Sequence, residues 1–129
     1  MHRPMPHQYT IDSLRRVAHI RVWGALTPGE MQEMVDELNA DPRISAEVAK
    51  LIDLRELTSV AAISSLDVRA IAAAALSPAS RRALVTADSA AFGLARMFAA
   101  FRTLRQPHEQ VGVFRTLKEA EEWLGLAGT

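Results

Sequence analysis

Two strand–helix units in direct succession at the end of the chain constrain its fold more than any other feature of the sequence. Residues 81–87 are rich in apolar side chains and predict a strand, and the apolar segment 88–105 predicts a long helix. Residues 110–115 predict a second strand, and residues 117–124 predict a short closing helix. Because strands that alternate with helices of this length pair in parallel through right-handed crossovers, we expect an α/β fold.

The first part of the chain predicts a hairpin and a helix. Residues 8–12 predict a short edge strand, and residues 16–23 alternate between two faces as a strand does, so the two are expected to pair. Thr27, Pro28 and Glu30 form a helix start. In this start Thr27 caps the free N–H groups and Glu30 bonds back to the cap.

The middle of the chain predicts the centre of the sheet. Residues 48–54 carry apolar side chains on both faces and predict a buried central strand, and a helix is expected to follow from Ser64 or Ser65 to Leu76. The whole chain is therefore expected to form one domain, with a mixed, mainly parallel sheet of four to five strands and about four helices. Residues 1–7 contain two prolines and are expected to form a loose N-terminal tail.

Composition narrows the classes of function. The 15 basic and 15 acidic residues give a formal net charge of zero, so no basic excess is available to hold a nucleic-acid backbone. The absence of cysteine excludes disulfides and thiol chemistry. No stretch approaches the roughly 20 apolar residues of a membrane span, and the N-terminus lacks the pattern of a signal peptide. We therefore expect a cytoplasmic protein without an integral membrane segment.

The sequence contains no recognisable catalytic, cofactor-binding or metal-binding motif. The six glycines are scattered and form neither nucleotide-binding fingerprint. The four histidines lack the short spacings that place metal ligands on one face. We therefore expect no catalytic residues, no cofactor and no metal, in a protein that is not an enzyme.

Asp53 is a candidate contact for a ligand or a partner. It lies at the C-terminal end of the predicted central strand, where open α/β sheets place their ligands, and Arg55 follows it. Two interpretations stay open: Asp53 and Arg55 contact a ligand or partner, or Asp53 bonds the following loop or pairs with Arg55. Asp88, at the start of the next predicted helix, lies at the same end of the sheet.

Phe92 and Arg96 form a second candidate on the long apolar helix. Arg96 is the lone charge between residues 90 and 100, and Phe92 lies off the apolar stripe of that helix. Together with Ala99 they could form a contact patch or the wall of a small apolar pocket. The alternative is a simple alanine-rich exposed face.

Three segments carry a resemblance to a known family. They are Leu51-Ile52-Asp53-Leu54-Arg55, then residues 83–88 leading into Phe92-Gly93-Leu94-Ala95-Arg96-Met97-Phe98, then residues 113–124. In their order and spacing they resemble the STAS-like (SpoIIAA-like) family of small bacterial proteins, over most of the chain. The resemblance implies a stack of β-α units around a mixed sheet. It also implies relatives of two kinds, anti-anti-sigma factors that bind a kinase-type anti-sigma partner, and SEC14-like domains that carry lipids.

The resemblance further implies a phosphorylation or partner site at Ser64 and Ser65. The phosphorylated serine of the anti-anti-sigma pattern stands at the start of the corresponding helix, although the flanking Asp and Gly of that pattern are missing here. A phosphate at this position would lie at a favourable helix N-terminus. The alternative is a plain helix cap, because Ser64 and Asp67 have the spacing of a capping box.

These observations predict a non-enzymatic STAS-like regulatory or protein-interaction module. A protein partner of anti-sigma or kinase type fits this expectation, and so does a homodimer formed through the alanine-rich helices. The alternative is a small SEC14-like carrier, which would hold an apolar or acyl ligand between the helix of residues 92–101 and the sheet.

Overall fold

The secondary structure follows the alternating pattern of the sequence. The structure is a computed structural model that describes residues 7–74 and 81–126, and these residues form five strands and four helices. The strands are β1 His7–Asp12, β2 Val17–Ala25, β3 Ala49–Ser59, β4 Arg81–Val85 and β5 Gln110–Phe114. The helices are α1 Pro28–Ala40, α2 Ser65–Ala73, α3 Ser89–Arg105 and α4 Leu117–Leu124.

A single five-stranded sheet organises the described elements, with the strands in chain order from β1 to β5. β1 pairs antiparallel with β2, and every later pair is parallel. The predicted mixed and mainly parallel sheet is therefore confirmed, with β3 at its centre. The β1–β2 turn is held by Asp12, whose carboxylate accepts hydrogen bonds from the backbone N–H groups of Leu14 and Arg15.

The helix ends follow local signals in the sequence. Thr27 accepts a hydrogen bond from the backbone N–H of Glu30, and the Glu30 carboxylate accepts one from the backbone N–H of Thr27. The predicted capping box of α1 is therefore present. Thr116 caps α4 in the same position, and Gly125 ends α4 in the left-handed conformation, with φ of 78°. Only glycine adopts that conformation without strain.

The helices cover the two faces of the sheet unequally. On one face, α1, α2 and α3 pack over a core that includes Ile20, Val22 and Leu84. On the other face, α4 packs over a smaller cluster that includes Leu51 and Val85. Side chains alternate along the strands between these two clusters, as the sequence predicts for β2.

The structure differs from the predicted boundaries in several places, including β2, which ends at Ala25, and β4, which ends at Val85. β3 continues to Ser59, because its pairing with β2 extends past the predicted strand end. α2 ends at Ala73, and the predicted end at Leu76 lies outside the described residues. The predicted tail was wrong for His7, which begins β1, is buried, and contacts the Glu37 carboxylate at 2.6 Å. Residues 1–6 lie outside the described part of the chain.

Gly112 in β5 provides a test of the packing under α4. A Cβ atom at this position would lie 2.7 Å from two ring carbons of Phe114, which packs against Trp123 with 5.4 Å between ring centroids. We expect Gly112→Ala to lower the free energy of unfolding by about 1 kcal/mol, because the half-buried ring must shift. Urea unfolding measures this change.

Gly93 in α3 is the matched control. It is exposed on the helix, and a Cβ atom there would meet nothing within 4 Å. Gly93→Ala should raise the free energy of unfolding by about 0.5–1 kcal/mol, since alanine favours a helix over glycine. A change of the same sign in both variants would contradict the packing described for Gly112.

Candidate functional site

The structure brings Asp53 and Arg55 together as an ion pair. The guanidinium of Arg55 donates to both carboxylate oxygens of Asp53, at 2.8 and 2.7 Å, and its backbone N–H donates to one of them at 3.1 Å. Burial alone would raise the pKa of Asp53, but the hydrogen bonds and charge of Arg55 outweigh burial and lower it. The carboxylate is therefore ionised and paired, which matches the second of the two interpretations of Asp53.

Asp88 lies immediately before α3, and the Phe92–Arg96 patch lies on that helix. Asp88 caps the helix by accepting a hydrogen bond from the backbone N–H of Ala91 at 3.0 Å. Phe92 and Arg96 line a shallow surface depression together with Ala99 and Val113, so the predicted grouping is present. In addition, the guanidinium of Arg115 lies 4.0 Å from the centre of the Phe92 ring.

These two groups of residues lie on opposite faces of the sheet. Asp53 lines a depression with Leu51 and Leu117, on the face that α4 partly covers. The depression at Phe92 is on the face that carries α3. The structure therefore does not combine Asp53, Phe92 and Arg96 into one site.

Ser64 and Ser65 are both exposed at the start of α2. The Ser64 hydroxyl accepts a hydrogen bond from the backbone N–H of Asp67 at 3.1 Å and donates to the Asp67 carboxylate at 2.9 Å. The backbone N–H of Ser64 also donates to that carboxylate, so the capping box is complete. Ser65 is the first residue of the helix, and the neighbouring Leu66 is 71% exposed.

An apolar cavity of about 140 Å³ lies between the sheet and the helices α1, α2 and α3. Apolar side chains dominate its wall, among them Met31, Leu38, Leu57, Ile71, Leu94 and Phe98. This is the position in which the carrier interpretation places a ligand, under the helix that contains residues 92–101. A cavity of about 150 Å³ in another protein admits benzene, so this volume suits a ligand of about that size.

Two cationic side chains also line this apolar cavity. Lys50, at the start of β3, and Arg82, at the start of β4, are partners across the parallel β3–β4 pair. Both residues are buried. A buried charge is unfavourable unless the fold supplies compensating groups, so the surroundings of Lys50 and Arg82 decide their state.

A buried ion network adjoins these two residues. Glu109 accepts hydrogen bonds from Arg102 at 2.9 Å and from Arg82 at 3.2 Å, and all three side chains are buried. Burial would raise the pKa of Glu109, but the two arginines outweigh burial and lower it, so the carboxylate is ionised. Arg102 also donates to the carbonyls of Ala72 and Ala74, which fixes the end of α2 to α3.

Lys50 titrates near neutral pH. Burial, followed by the charge of Arg82, lowers the pKa of its amine to about 7, while Glu109 opposes this shift and Arg102 adds to it. Counting Lys50 itself, the described charged groups of this cluster are three cations and one carboxylate. The interior therefore carries an excess of positive charge beside the apolar cavity when Lys50 is protonated.

Sequence reasoning missed this cluster. The candidate residues at strand ends lie at the C-terminal ends, whereas Lys50 and Arg82 stand at the opposite end of the sheet. The available signal was a lysine inside the apolar run of residues 48–54, on a strand that the pattern assigns to the interior. Lys50 was not noted because apolar neighbours dominate both faces of that run.

Within residues 7–74 and 81–126, no group of three or more His, Asp or Glu side chains could hold a metal ion. None of the helices described there has the length and apolar character needed to cross a membrane.

The mixed sheet, with three helices on one face and one on the other, defines an α/β domain of the SpoIIAA-like class. The SpoIIAA-like family model matches residues 17–125, and the chain belongs to this family. The predicted family is therefore confirmed.

A solved structure is similar to this fold. It is the crystal structure of an uncharacterised protein from Shewanella loihica PV-4, described as having a SpoIIAA-like fold. The TM-score is 0.59 at 17% sequence identity, and the match covers 96% of this chain and 98% of the other. At this identity the likeness shows the fold alone. No curated protein sequence matches the chain.

The titration of Lys50 predicts how stability depends on pH. The folded protein releases the Lys50 proton near pH 7, whereas the unfolded chain keeps it up to about pH 10.5. The free energy of unfolding should therefore rise between these two pH values, by an amount on the order of a few kcal/mol. Lys50→Met should remove this rise and stabilise the protein at pH 7 and below, as urea unfolding at pH 6, 8 and 10 would show.

The other lysine supplies the control for this measurement. Lys118 is exposed on α4, so Lys118→Met should keep the pH profile of the original protein. Identical profiles for the Lys50→Met variant and the original protein would contradict a lowered pKa at Lys50.

Proposed function

We propose that this SpoIIAA-like protein is a non-enzymatic binding module that holds a small apolar molecule in the cavity between α3 and the sheet. The cavity is the observation that supports this proposal. Protein interiors contain few voids larger than a water molecule. A ligand that fills this space would contact the apolar side chains that line it.

The volume of the cavity limits the ligand to a compact molecule. About 140 Å³ is enough for a single ring or a short chain, by comparison with the cavity that admits benzene. It is too small for the two acyl chains of a phospholipid. The proposed ligand is therefore smaller than the lipids that SEC14-like domains carry. Its position under α3 is the one that the carrier interpretation gives.

Filling the cavity with a protein side chain tests this function. Ala95 on α3 is buried and lines the cavity, so the larger side chain of Ala95→Leu would occupy part of the ligand's space. We expect the original protein to bind toluene, with binding measured by isothermal titration calorimetry. Ala95→Leu should weaken this binding at least tenfold, which corresponds to about 1.4 kcal/mol.

Ala100→Leu is the matched control, because Ala100 is exposed on the same helix. This variant should bind toluene as the original protein does. Circular dichroism would show that both variants keep their helices. A failure of the original protein to bind toluene would refute the proposal, and so would equal binding by the Ala95→Leu variant.

We also propose that the start of α2 is a regulated contact for a protein partner, of the anti-sigma or kinase type that the family resemblance implies. Two exposed serines beside the exposed Leu66 support this second function. Ser64 takes part in the complete capping box and Ser65 does not, so a phosphate would affect the two positions differently. A phosphate on Ser64 would displace the hydrogen bonds to Asp67 and repel its carboxylate, whereas a phosphate on Ser65 would meet free N–H groups.

Phosphorylation of Ser64 and of Ser65 should therefore change the unfolding temperature of the protein differently. Protein carrying phosphoserine at position 64 should unfold at a lower temperature than unmodified protein, because the start of α2 loses its cap. Protein carrying phosphoserine at position 65 should unfold at the same or a higher temperature. Differential scanning calorimetry compares the two, and equal shifts would contradict the described role of the Ser64–Asp67 box.

The predicted homodimer stays a prediction, which light scattering at micromolar concentration tests.

A further inference from the structure

We infer that the free edge of β5 is a docking site for an extended acidic segment of a partner protein, which adds a further strand to the five-stranded sheet. β5 contributes no described residue to the wall of the cavity, and this surface is also separate from the start of α2. The inference therefore stands apart from both proposed functions. It follows from the open edge of the strand and from the different side chains on its two faces.

One edge of β5 has no neighbouring strand. Within residues 7–74 and 81–126, β5 pairs with β4 alone. The carbonyl of Phe114 accepts a hydrogen bond from the backbone N–H of Thr86, immediately after β4. Because successive residues of a strand point their backbone groups to opposite edges, those of Val111 and Val113 point away from β4. Such a row of donors and acceptors is a template for another strand.

The sequence of β5 does not protect this edge. Natural sheets often block pairing with charged side chains or proline in their edge strands. The strand Gln110–Phe114 includes no charged residue and no proline, and its apolar side chains are only half-buried. The opposite edge strand, β1, ends in Asp12 and exposes the polar side chains of Gln8 and Thr10. β5 is therefore the edge that suits pairing with another chain.

The side of this edge that faces α3 is cationic. Phe92, Arg96 and Ala99 line a depression together with Val113 of β5, and the guanidinium of Arg115 lies 4.0 Å from the centre of the Phe92 ring. Both arginines are exposed, and none of the ion pairs between described residues involves either of them. A guanidinium that stacks on a ring can still donate to a carboxylate. An acidic side chain is therefore the group that complements this side.

The charges favour a partner protein over a second copy of this chain. Two copies joined through antiparallel β5 strands would bring two cationic sides together on the same face, each with Arg96 and Arg115. Like charges across an interface are unfavourable. Glu109 does not compensate, because it is buried and its carboxylate is held by Arg82 and Arg102.

The two faces of the edge determine the side-chain pattern of the partner. On the α4 face, the half-buried rings of Phe114 and Trp123 lie with 5.4 Å between their centroids, so this face suits apolar side chains. Side chains of a strand alternate between its two faces. An added strand would place acidic side chains toward Arg96 and Arg115, and apolar side chains toward Phe114. The expected segment therefore alternates acidic and β-branched residues.

Short peptides test this inference. The probe is an acetylated and amidated octapeptide of alternating glutamate and valine, and the matched control has lysine in place of glutamate. At low ionic strength, calorimetry should give a Kd of about 1 mM or below for the glutamate peptide, and at least tenfold weaker binding of the lysine peptide. Hydrogen exchange followed by NMR should slow at the amides of Val111 and Val113, which face the open edge.

Variants of the protein and of the peptide separate charge from main-chain pairing. Arg96→Glu should weaken binding of the glutamate peptide at least threefold, because repulsion replaces attraction at an exposed side chain. Arg69→Glu is the matched control, because Arg69 is an exposed arginine on α2, and it should bind as the original protein does. A glutamate peptide methylated at every backbone nitrogen should not bind, because it cannot donate hydrogen bonds to β5.

Each contrary outcome would overturn a specific part of the inference. Failure of the glutamate peptide to bind, or binding without slower exchange at Val111 and Val113, would overturn the docking site. Equal binding of the lysine peptide would overturn the choice of an acidic partner. Slow exchange at both amides without peptide, in protein that light scattering shows to be dimeric, would place a second copy at the edge. Toluene binding in the cavity is independent of all these outcomes.

Discussion

The buried carboxylate of Glu109 connects elements of the fold that are distant in the sequence. It lies just before β5 and accepts hydrogen bonds from Arg82 in β4 and from Arg102 in the last turn of α3. Arg102 in turn holds the carbonyls at the end of α2. Removing one partner of such a buried pair leaves an uncompensated charge and costs roughly 3–5 kcal/mol. Two strands and two helices are therefore fixed to each other at one end of the sheet.

The same network bounds the cavity. The ends of α2 and α3 are held near the start of β4, and both helices contribute side chains to the wall of the cavity. Replacing a buried ion pair by apolar side chains often stabilises a protein, so stability alone does not explain a cluster of three cations and one carboxylate. Sequences depart from local stability rules mainly at functional sites.

The order of elements and the helix caps were predictable because each depends on residues close together in the chain. The Ser64–Asp67 box and the Asp53–Arg55 pair span three and two positions, and both were among the predicted alternatives. The charge cluster was not predictable in this way. Arg82 and Glu109 are 27 positions apart, and their contact exists only because β4 and β5 become neighbours in the sheet. The cavity likewise depends on how three helices pack, which no local pattern encodes.

The two ends of the sheet differ in the kind of polar groups that they carry. At the C-terminal ends of the strands, where α/β folds usually bind ligands, Asp53, Ser64 and Asp88 are each engaged in local pairs or caps. At the opposite end, buried cations exceed carboxylates beside an apolar cavity. α2 connects these two regions, because it begins at the Ser64 cap and ends at the carbonyls that Arg102 holds. It also contributes Ile71 to the cavity wall, so the same helix carries the Ser64 cap and part of the cavity.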